Sequence, residues 1–213
     1  MERIENAMLY INNACITLGT EVLFSGFTMR LKKGETACIA GESGCGKTSL
    51  LNAVMGFVPL TEGTITVGGT LLDKTTVDII RRQIAWIPQE LALPFEWVKE
   101  MAALPFRLKV NRDVPFSEER LFRYFDELGL EQELYHKRVN EVSGGQRQRI
   151  MLAVAAMLDK PLIVIDEPTS ALDAGSTDRV LSFFRRQAER GAAVLAVSHD
   201  KDFASGCHYL IEL

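Results

Sequence analysis

The stretch "GESGCGKT" at residues 41–48 decides the fold. It matches the pattern G-x-x-x-x-G-K-[ST] in full, and it stands between the apolar run "TACIA" at 36–40 and "TSLLNAVMG" at 48–56. A buried strand, a glycine-rich loop and a helix in this order are the setting of a phosphate-binding loop, or P-loop. Glycines let several backbone N–H groups point at one phosphate cluster, and the helix N-terminus adds partial positive charge. The sequence therefore predicts a nucleoside triphosphate site.

Two residues of this loop have defined chemistry. Lys47 is expected to reach the β- and γ-phosphates, and the Thr48 hydroxyl is expected to coordinate Mg²⁺. The residues expected to contact the nucleotide are Gly41, Ser43, Gly44, Cys45, Gly46, Lys47, Thr48 and Ser49. Kinases, GTPases and transport ATPases share such a loop, so it does not by itself say what is done with the nucleotide.

Strands and helices alternate along the rest of the chain. The runs "LIVID" at 162–166 and "AVLAV" at 193–197 have no polar alternation, which is typical of parallel strands covered on both faces. This alternation predicts an α/β fold of the P-loop NTPase type with a mainly parallel core sheet. We interpret residues 1–213 as one domain.

Two segments differ from this pattern. Residues 7–31 alternate loosely between turn signals such as Asn12-Asn13, which predicts short strands of an N-terminal antiparallel β-subdomain; "GTITVGGTLLD" at 63–73 predicts a hairpin. Between about 95 and 150, Phe, Leu, Glu and Arg recur at helical spacing, with Ser117 as an expected N-cap. We predict that this second segment is a helical subdomain inserted in the α/β core.

Polar side chains follow the predicted core strands. Asp166 ends a buried strand, where it can bind Mg²⁺ next to the P-loop, and Glu167 can then point at the γ-phosphate and polarise an attacking water. His199 follows the next apolar strand and reaches the same edge of the sheet if the two strands are neighbours. Gln89, after "IAWIP", is a further candidate for contacting Mg²⁺ or the attacking water.

Composition narrows the functional classes. With 47% hydrophobic and 24% charged residues among 213, the chain can bury a core, and its net charge of −4 argues against an electrostatically driven nucleic-acid binder. The four cysteines show neither zinc spacing nor paired motifs, so we expect reduced thiols in a cytosolic chain. The longest apolar run, near 150–158, is too short to span a bilayer. Any membrane role therefore requires a partner.

Taken together, these residues resemble the ATP-binding-cassette (ABC) ATPase family. The matching motifs follow the family's order: "GESGCGKT" for Walker A, Gln89 for the Q-loop, "VSGGQRQR" at 142–149 for the signature, "LIVIDE" at 162–167 for Walker B, "SALD" at 170–173 for the D-loop and "SHD" at 198–200 for the switch histidine. SGGQ followed by basic residues is the most specific of these motifs.

The resemblance implies a mechanism. Two cassettes of the family stack head to tail around two MgATP, each bound by the P-loop of one chain and the signature of the other. Ser143, Gly144, Gly145 and Gln146 would therefore contact the γ-phosphate held by a second copy of the protein, and Asp173 would lie in the segment that crosses the dimer interface. A Ser-Gly-Gly run that opens a helix also suits an anion on physical grounds, because its N–H groups are free.

One position departs from the family pattern. Relatives stack adenine on an aromatic residue in a stretch before the P-loop, and alignment back from "LKKGE" at 31–35 puts Leu18 there. A leucine covers a base by apolar contact with less stacking. The preference for ATP over GTP is therefore left open.

The leading functional hypothesis is the ATPase subunit of a membrane transporter, held at the cytoplasmic face of the membrane by an integral membrane permease. The permease groove would lie at about 89–108, with Leu93, Phe95 and Trp97 as candidate contacts. The alternative is a soluble ABC-type ATPase of DNA maintenance or translation, which the single cassette and the acidic charge disfavour.

The cargo is less defined. The short chain, "SHDKD" at 198–202 and "LPFRLK" at 104–109 resemble the small ATPases that are paired with a metal (iron) exporter permease. The resemblance to amino-acid or lipoprotein-release ATPases is nearly as good.

Overall fold

A computed structural model describes residues 7–89 and 95–213, and over these ranges the chain forms nine β-strands and seven α-helices. The strands are β1 (Ala7–Leu18), β2 (Glu21–Lys32), β3 (Thr36–Ala40), β4 (Glu62–Val67), β5 (Thr70–Leu71), β6 (Ile84–Ile87), β7 (Leu162–Asp166), β8 (Ala193–Val197) and β9 (Tyr209–Glu212). The helices are α1 (Lys47–Val54), α2 (Val77–Arg81), α3 (Val98–Arg107), α4 (Glu118–Leu128), α5 (Gly144–Met157), α6 (Ala174–Glu189) and α7 (Lys201–Ser205).

The core is a five-stranded parallel sheet in the order β6-β7-β8-β3-β9. Every residue of β7 and β8 is buried, as the lack of polar alternation predicted. Because the strands are parallel, the loops that follow β3, β6, β7 and β8 leave the same edge of the sheet. The P-loop and the polar residues after β6, β7 and β8 are therefore brought to one edge.

A second sheet is antiparallel, in the order β2-β1-β4-β5, and it includes the predicted hairpin of β4 and β5. The expectation of short N-terminal strands was wrong, since β1 and β2 each have 12 residues. The Asn12-Asn13 signal marks a register shift between Ile11 and Ala14, where Asn13 takes φ 48°. An asparagine tolerates this conformation, so a bulge accommodates it without ending the strand.

Two apolar clusters flank the parallel sheet, because successive side chains of a strand point to opposite faces. On β7, Leu162 and Val164 pack toward the antiparallel sheet and α1, whereas Ile163 and Ile165 pack toward α4, α5 and α6. The fold class is thus confirmed as α/β with a parallel core sheet, an N-terminal antiparallel sheet and helices.

The helical segment contains α3, α4 and the first part of α5. Ser117 caps α4 as predicted, since its hydroxyl accepts a hydrogen bond from Arg120 N at 3.2 Å. The buried faces of these helices pack in the apolar cluster that contains Ile163 and Ile165, on the face of the parallel sheet opposite α1. This packing places the N-terminus of α5 near the segment that follows β7, against Ala171 and Leu172.

Candidate nucleotide and magnesium site

The P-loop is held between β3 and α1. Lys47, 9% exposed, donates from Nζ to the carbonyl oxygens of Gly41 at 2.9 Å and Glu42 at 2.7 Å. Gly46 takes φ 102°, and a Cβ there would lie 3.0 Å from the Phe24 ring. Only glycine adopts this conformation readily, so the loop can curl tightly around its own lysine. The charged ammonium group of Lys47 is thereby held inside the loop, against the carbonyl oxygens of Gly41 and Glu42.

Thr48 and Asp166 meet across the site. The Thr48 hydroxyl donates to Asp166 Oδ2 at 2.8 Å, and Asp166 Oδ1 is buried without a hydrogen-bond partner among residues 7–89 and 95–213. Burial raises the pKa of the Asp166 carboxyl above its usual range, and the Thr48 hydrogen bond partly offsets this shift. Hydroxyl and carboxylate oxygens are the ligands that Mg²⁺ prefers, so the buried free oxygen fits a magnesium ion.

Glu167 and His199 form the second part of the site. His199 Nδ1 lies 3.0 Å from Glu167 Oε2; the glutamate side chain is 9% exposed and the histidine 70% exposed. The contact exists because β7 and β8 are adjacent, as the sequence argument required of the two strands. Glu167 takes φ 53°, an uncommon conformation for a residue with a side chain.

Gln148 is a residue that the sequence interpretation missed. Its Nε2 donates to the carbonyl oxygen of Glu167, which also accepts from the Ser170 hydroxyl at 3.3 Å, while Glu167 N donates to Val197 O at 2.9 Å. These bonds fix the peptide groups on both sides of the unusual φ angle. Gln148 belongs to "VSGGQRQR", but only its position on a helix that crosses the Walker B segment reveals the contact.

The start of α5 is a capping box. Ser143 Oγ accepts from Gln146 N at 3.1 Å, and Gln146 Oε1 accepts from Ser143 N at 2.9 Å. Gly144 is exposed, while a Cβ on Gly145 would lie 2.5 Å from Ala171 O. Glycine at 145 therefore lets α5 approach the D-loop backbone closely, with Ser143 left on the surface.

Gln89 and Asp173 lie around this helix start. Gln89 is exposed and lines a cavity of about 170 Å³ together with Gly144, Gln148 and residues 170–171. Asp173 caps α6, since its Oδ1 accepts from Ser176 N at 2.8 Å, and this hydrogen bonding lowers the pKa of the Asp173 carboxyl. No role of Gln89 as a ligand is visible in these contacts, and it stays a prediction.

The candidate base-contacting residue lies at a strand end. Leu18 closes β1 and is 53% exposed, which leaves its side chain open to a ligand. Phe24 of β2 packs its ring against the backbone of Gly46. The structure therefore provides an aromatic side chain beside the P-loop, and it belongs to β2, where the alignment did not place one.

The candidate permease-contacting residues differ in their surroundings. Leu93 lies outside the described residues. Phe95 is half-buried and packs against the apolar cluster formed with α3, α4, α5 and α6. Trp97 is also half-buried, and the cations of Lys99 and Arg138 lie 5.6 and 5.3 Å from the centre of its ring. Both aromatic residues thus pack within the helical segment and retain exposed surface.

Comparison with known proteins agrees with this geometry. The family model described as "ABC transporter" matches residues 24–170. The phosphonates import ATP-binding protein PhnC of Hyphomonas neptunium is 34% identical over 91% of this chain and 77% of its own length. The bacitracin export ATP-binding protein BceA of Halalkalibacterium halodurans is 33% identical over 96% of this chain and 84% of its own length.

A solved structure extends the likeness to the fold. The dimeric post-hydrolysis state of the ATP-binding cassette MJ0796, bound to ADP and Pi, has a TM-score of 0.81 and 27% identity over 97% of this chain and 94% of that one. Over the described residues, no helix of the present chain combines the length and apolarity needed to cross a bilayer. The chain therefore belongs to the ABC transporter family, as an ATP-binding and ATP-hydrolysing cassette.

Proposed function

We propose that the protein works as a head-to-tail dimer that closes on two MgATP and drives substrate movement through a separate integral membrane permease, at the cytoplasmic face of the membrane. Its relatives serve import and export alike, according to their names. We propose further that residues 1–213 form one cassette with a helical subdomain at about 95–150. The metal (iron) export hypothesis stays a prediction.

One observation carries the proposal. The groups that suit triphosphate and metal, Lys47, Thr48, Asp166 and Glu167, gather at the carboxyl edge of the parallel sheet. The N–H-rich start of α5 instead packs on the D-loop segment, with Ser143 exposed. An exposed helix start of this kind suits an anion that a second molecule presents. The two halves of the site would then belong to different copies.

Within one half, each side chain has a proposed role. Lys47 binds the β- and γ-phosphates, and Thr48 and Asp166 hold Mg²⁺, which would neutralise charge on the phosphates. Glu167 accepts a hydrogen bond from the attacking water and orients it, and His199 contacts the γ-phosphate from the side opposite the loop. Leu18 covers the adenine base by apolar contact.

Dimer formation can be tested by the dependence of the rate on concentration. We expect the turnover rate per chain to rise with protein concentration in MgATP, because only the dimer has complete sites. The measurement is phosphate release over a hundredfold dilution series, with chain mass by light scattering. A turnover rate that is independent of dilution while the protein is monomeric would contradict the proposal.

Gln148 is proposed as a positioning residue. We expect Gln148→Ala to lower kcat by about tenfold, since a net hydrogen bond of roughly 1.4 kcal/mol is lost from the Glu167 carbonyl. KM for ATP should be unchanged, because the P-loop is untouched. Steady-state kinetics separates the two parameters, and Gln132→Ala, at an exposed glutamine, is the matched control. Equal losses in kcat and in thermal stability for both variants would argue against positioning.

A further inference from the structure

A cavity of about 250 Å³ lies at the amino edge of the parallel sheet. It is bounded by residues 159–161, which lead from α5 into β7, and by residues 190–192, which lead from α6 into β8. The nucleotide site is built at the carboxyl ends of these two strands, so the cavity lies at the opposite edge of the sheet. Its volume is below the roughly 300–1,000 Å³ of sites for drug-sized ligands, which suits a smaller molecule.

Gln187 is the buried polar side chain of this cavity. It is 4% exposed, and its Nε2 has no hydrogen-bond partner within residues 7–89 and 95–213. The main chain of the same residue is already engaged, since its carbonyl oxygen accepts from Ala192 N at 3.1 Å. A buried donor that is left unpaired destabilises the protein, so an amide that lines a cavity favours a ligand with a hydrogen-bond acceptor.

The charged groups around the cavity leave an excess of positive charge. Arg120 Nη2 donates to Asp159 Oδ1 at 2.8 Å, which neutralises the carboxylate that lines the cavity. Arg190 Nη2 lies 3.0 Å from Glu127 Oε1, and Arg186 Nε lies 2.8 Å from the other oxygen of the same carboxylate. Two guanidinium groups thus share one negative charge, and an anion in the cavity would be attracted to them.

Lys160 supplies a cation without a counter-charge. Its side chain is half-buried, lines the cavity and makes no ion pair in the described part of the chain. Burial lowers the pKa of its ammonium group, and the charge of Arg82 acts in the same direction. Both effects disfavour the bare cation, and an anion bound beside it would offset them. The cavity therefore offers a cation and an amide donor to the same ligand.

Other walls of the cavity are apolar. The side chains of Tyr124 and Ile163 line it and are themselves buried, and Ala156 and Pro161 lie beside them. An inorganic anion would leave this apolar surface uncovered, whereas an organic acid with a short apolar body would cover it. The lining thus combines the two features that such an acid requires.

We propose that the cavity binds a small organic carboxylate. The carboxylate accepts a hydrogen bond from Gln187 Nε2 and lies against the ammonium group of Lys160, and the apolar part of the ligand packs against Tyr124 and Ile163. Such a ligand would join the starts of β7 and β8, whose other ends lead into the nucleotide site. Binding needs neither nucleotide nor a second copy of the chain.

The test uses the full chain and fluorine NMR. The probes are two acids of different size, para-fluorobenzoate and fluoroacetate, together with the neutral amide of each. We expect protein to broaden the resonance of at least one acid and of neither amide, because only the acid carries the charge that Lys160 attracts. The bound acid should also shift the side-chain amide resonance of Gln187, which is assigned by its loss in Gln187→Leu. Saturating MgADP should leave binding unchanged.

Two variants make the proposal falsifiable. Lys160→Gln and Gln187→Leu should each raise the Kd of the acid by about tenfold or more, since each removes one interaction with a charged ligand. Lys109→Gln, at an exposed lysine, is the matched control and should bind like the wild type. Circular dichroism checks that each variant is folded, and Lys160→Gln changes a half-buried side chain that the fold tolerates more readily than a change at Gln187.

Four outcomes would overturn the proposal: neither acid binds, an amide binds as tightly as its acid, MgADP displaces the acid, or Lys160→Gln keeps the wild-type affinity. None of these readouts depends on ATP hydrolysis or on dimer formation, so their failure is separate from failure of the proposed function.

Discussion

Replacement of Glu167 by glutamine is expected to reduce ATP hydrolysis by about 10²- to 10⁴-fold, the range that a positioned general base contributes. The amide keeps the size of the side chain and removes the negative charge that is proposed to orient the attacking water. ATP binding should persist, because Lys47, Thr48 and Asp166 are unchanged. With hydrolysis blocked, MgATP should hold the variant as a dimer.

Two measurements check this result. Phosphate release gives the rate, and size-exclusion chromatography with light scattering gives the mass with and without MgATP. Glu133→Gln, at an exposed glutamate, is the matched control and should keep the wild-type rate. If Glu167→Gln hydrolyses ATP at the wild-type rate, the role proposed for Glu167 is wrong. A variant that stays monomeric at high concentration counts against the dimer.

Replacement of Ser143 by arginine is expected to lower hydrolysis by roughly 10²-fold or more, the size of effect seen when a donor to a reacting oxyanion is lost. The long cationic side chain would fill the surface at the start of α5, where the second copy is proposed to present its triphosphate. Nucleotide binding to the isolated chain should not change, because Gly144 and Gly145 pack against Ala171 and the P-loop residues keep their identity.

The variant Ser143→Ala separates the effect of the added arginine side chain from the effect of losing the N-cap of α5. It removes the hydrogen bond from Gln146 N, at a cost of about 1 kcal/mol of stability, and adds no bulk or charge. Its effect on the rate should be smaller than that of arginine. If Ser143→Arg weakened nucleotide binding as much as hydrolysis, the site would not be shared between copies.

A mixture of the two inactive variants gives a decisive result. In a mixed dimer of Ser143→Arg and Glu167→Gln chains, one site would combine both changes and the other would contain neither. We therefore expect the mixture to hydrolyse ATP faster than either variant alone. Sites built within one chain would leave the mixture as inactive as its parts.

Much of the candidate site at the carboxyl edge of the parallel sheet could be predicted from the sequence, because its parts depend on local patterns. The P-loop glycines, the apolar strand before Asp166 and the strand before His199 each encode their own conformation. A parallel sheet then brings the carboxyl ends of the strands to one edge, and this does not depend on the length or sequence of the connecting segments. The Glu167–His199 contact needed only the adjacency of β7 and β8.

Other contacts had no local signal. The hydrogen bond of Gln148 to Glu167 requires α5 to cross the Walker B segment, which the helix pattern does not specify. Phe24 reaches Gly46 through the pairing of two 12-residue strands, in which Phe24 lies opposite Ile16 with a register shift on each side. Register shifts of this kind change which side chains face the P-loop.

The sequence by itself determined the family, the fold class and the set of nucleotide-site candidates, because glycine conformations, apolar runs and charged strand ends are local consequences of residue type. Tertiary structure alone decided which groups touch. It placed the Asp166 carboxylate against Thr48 and Gln148 against Glu167. These contacts join segments far apart in the chain, and they form only when strand order and helix packing bring the segments together.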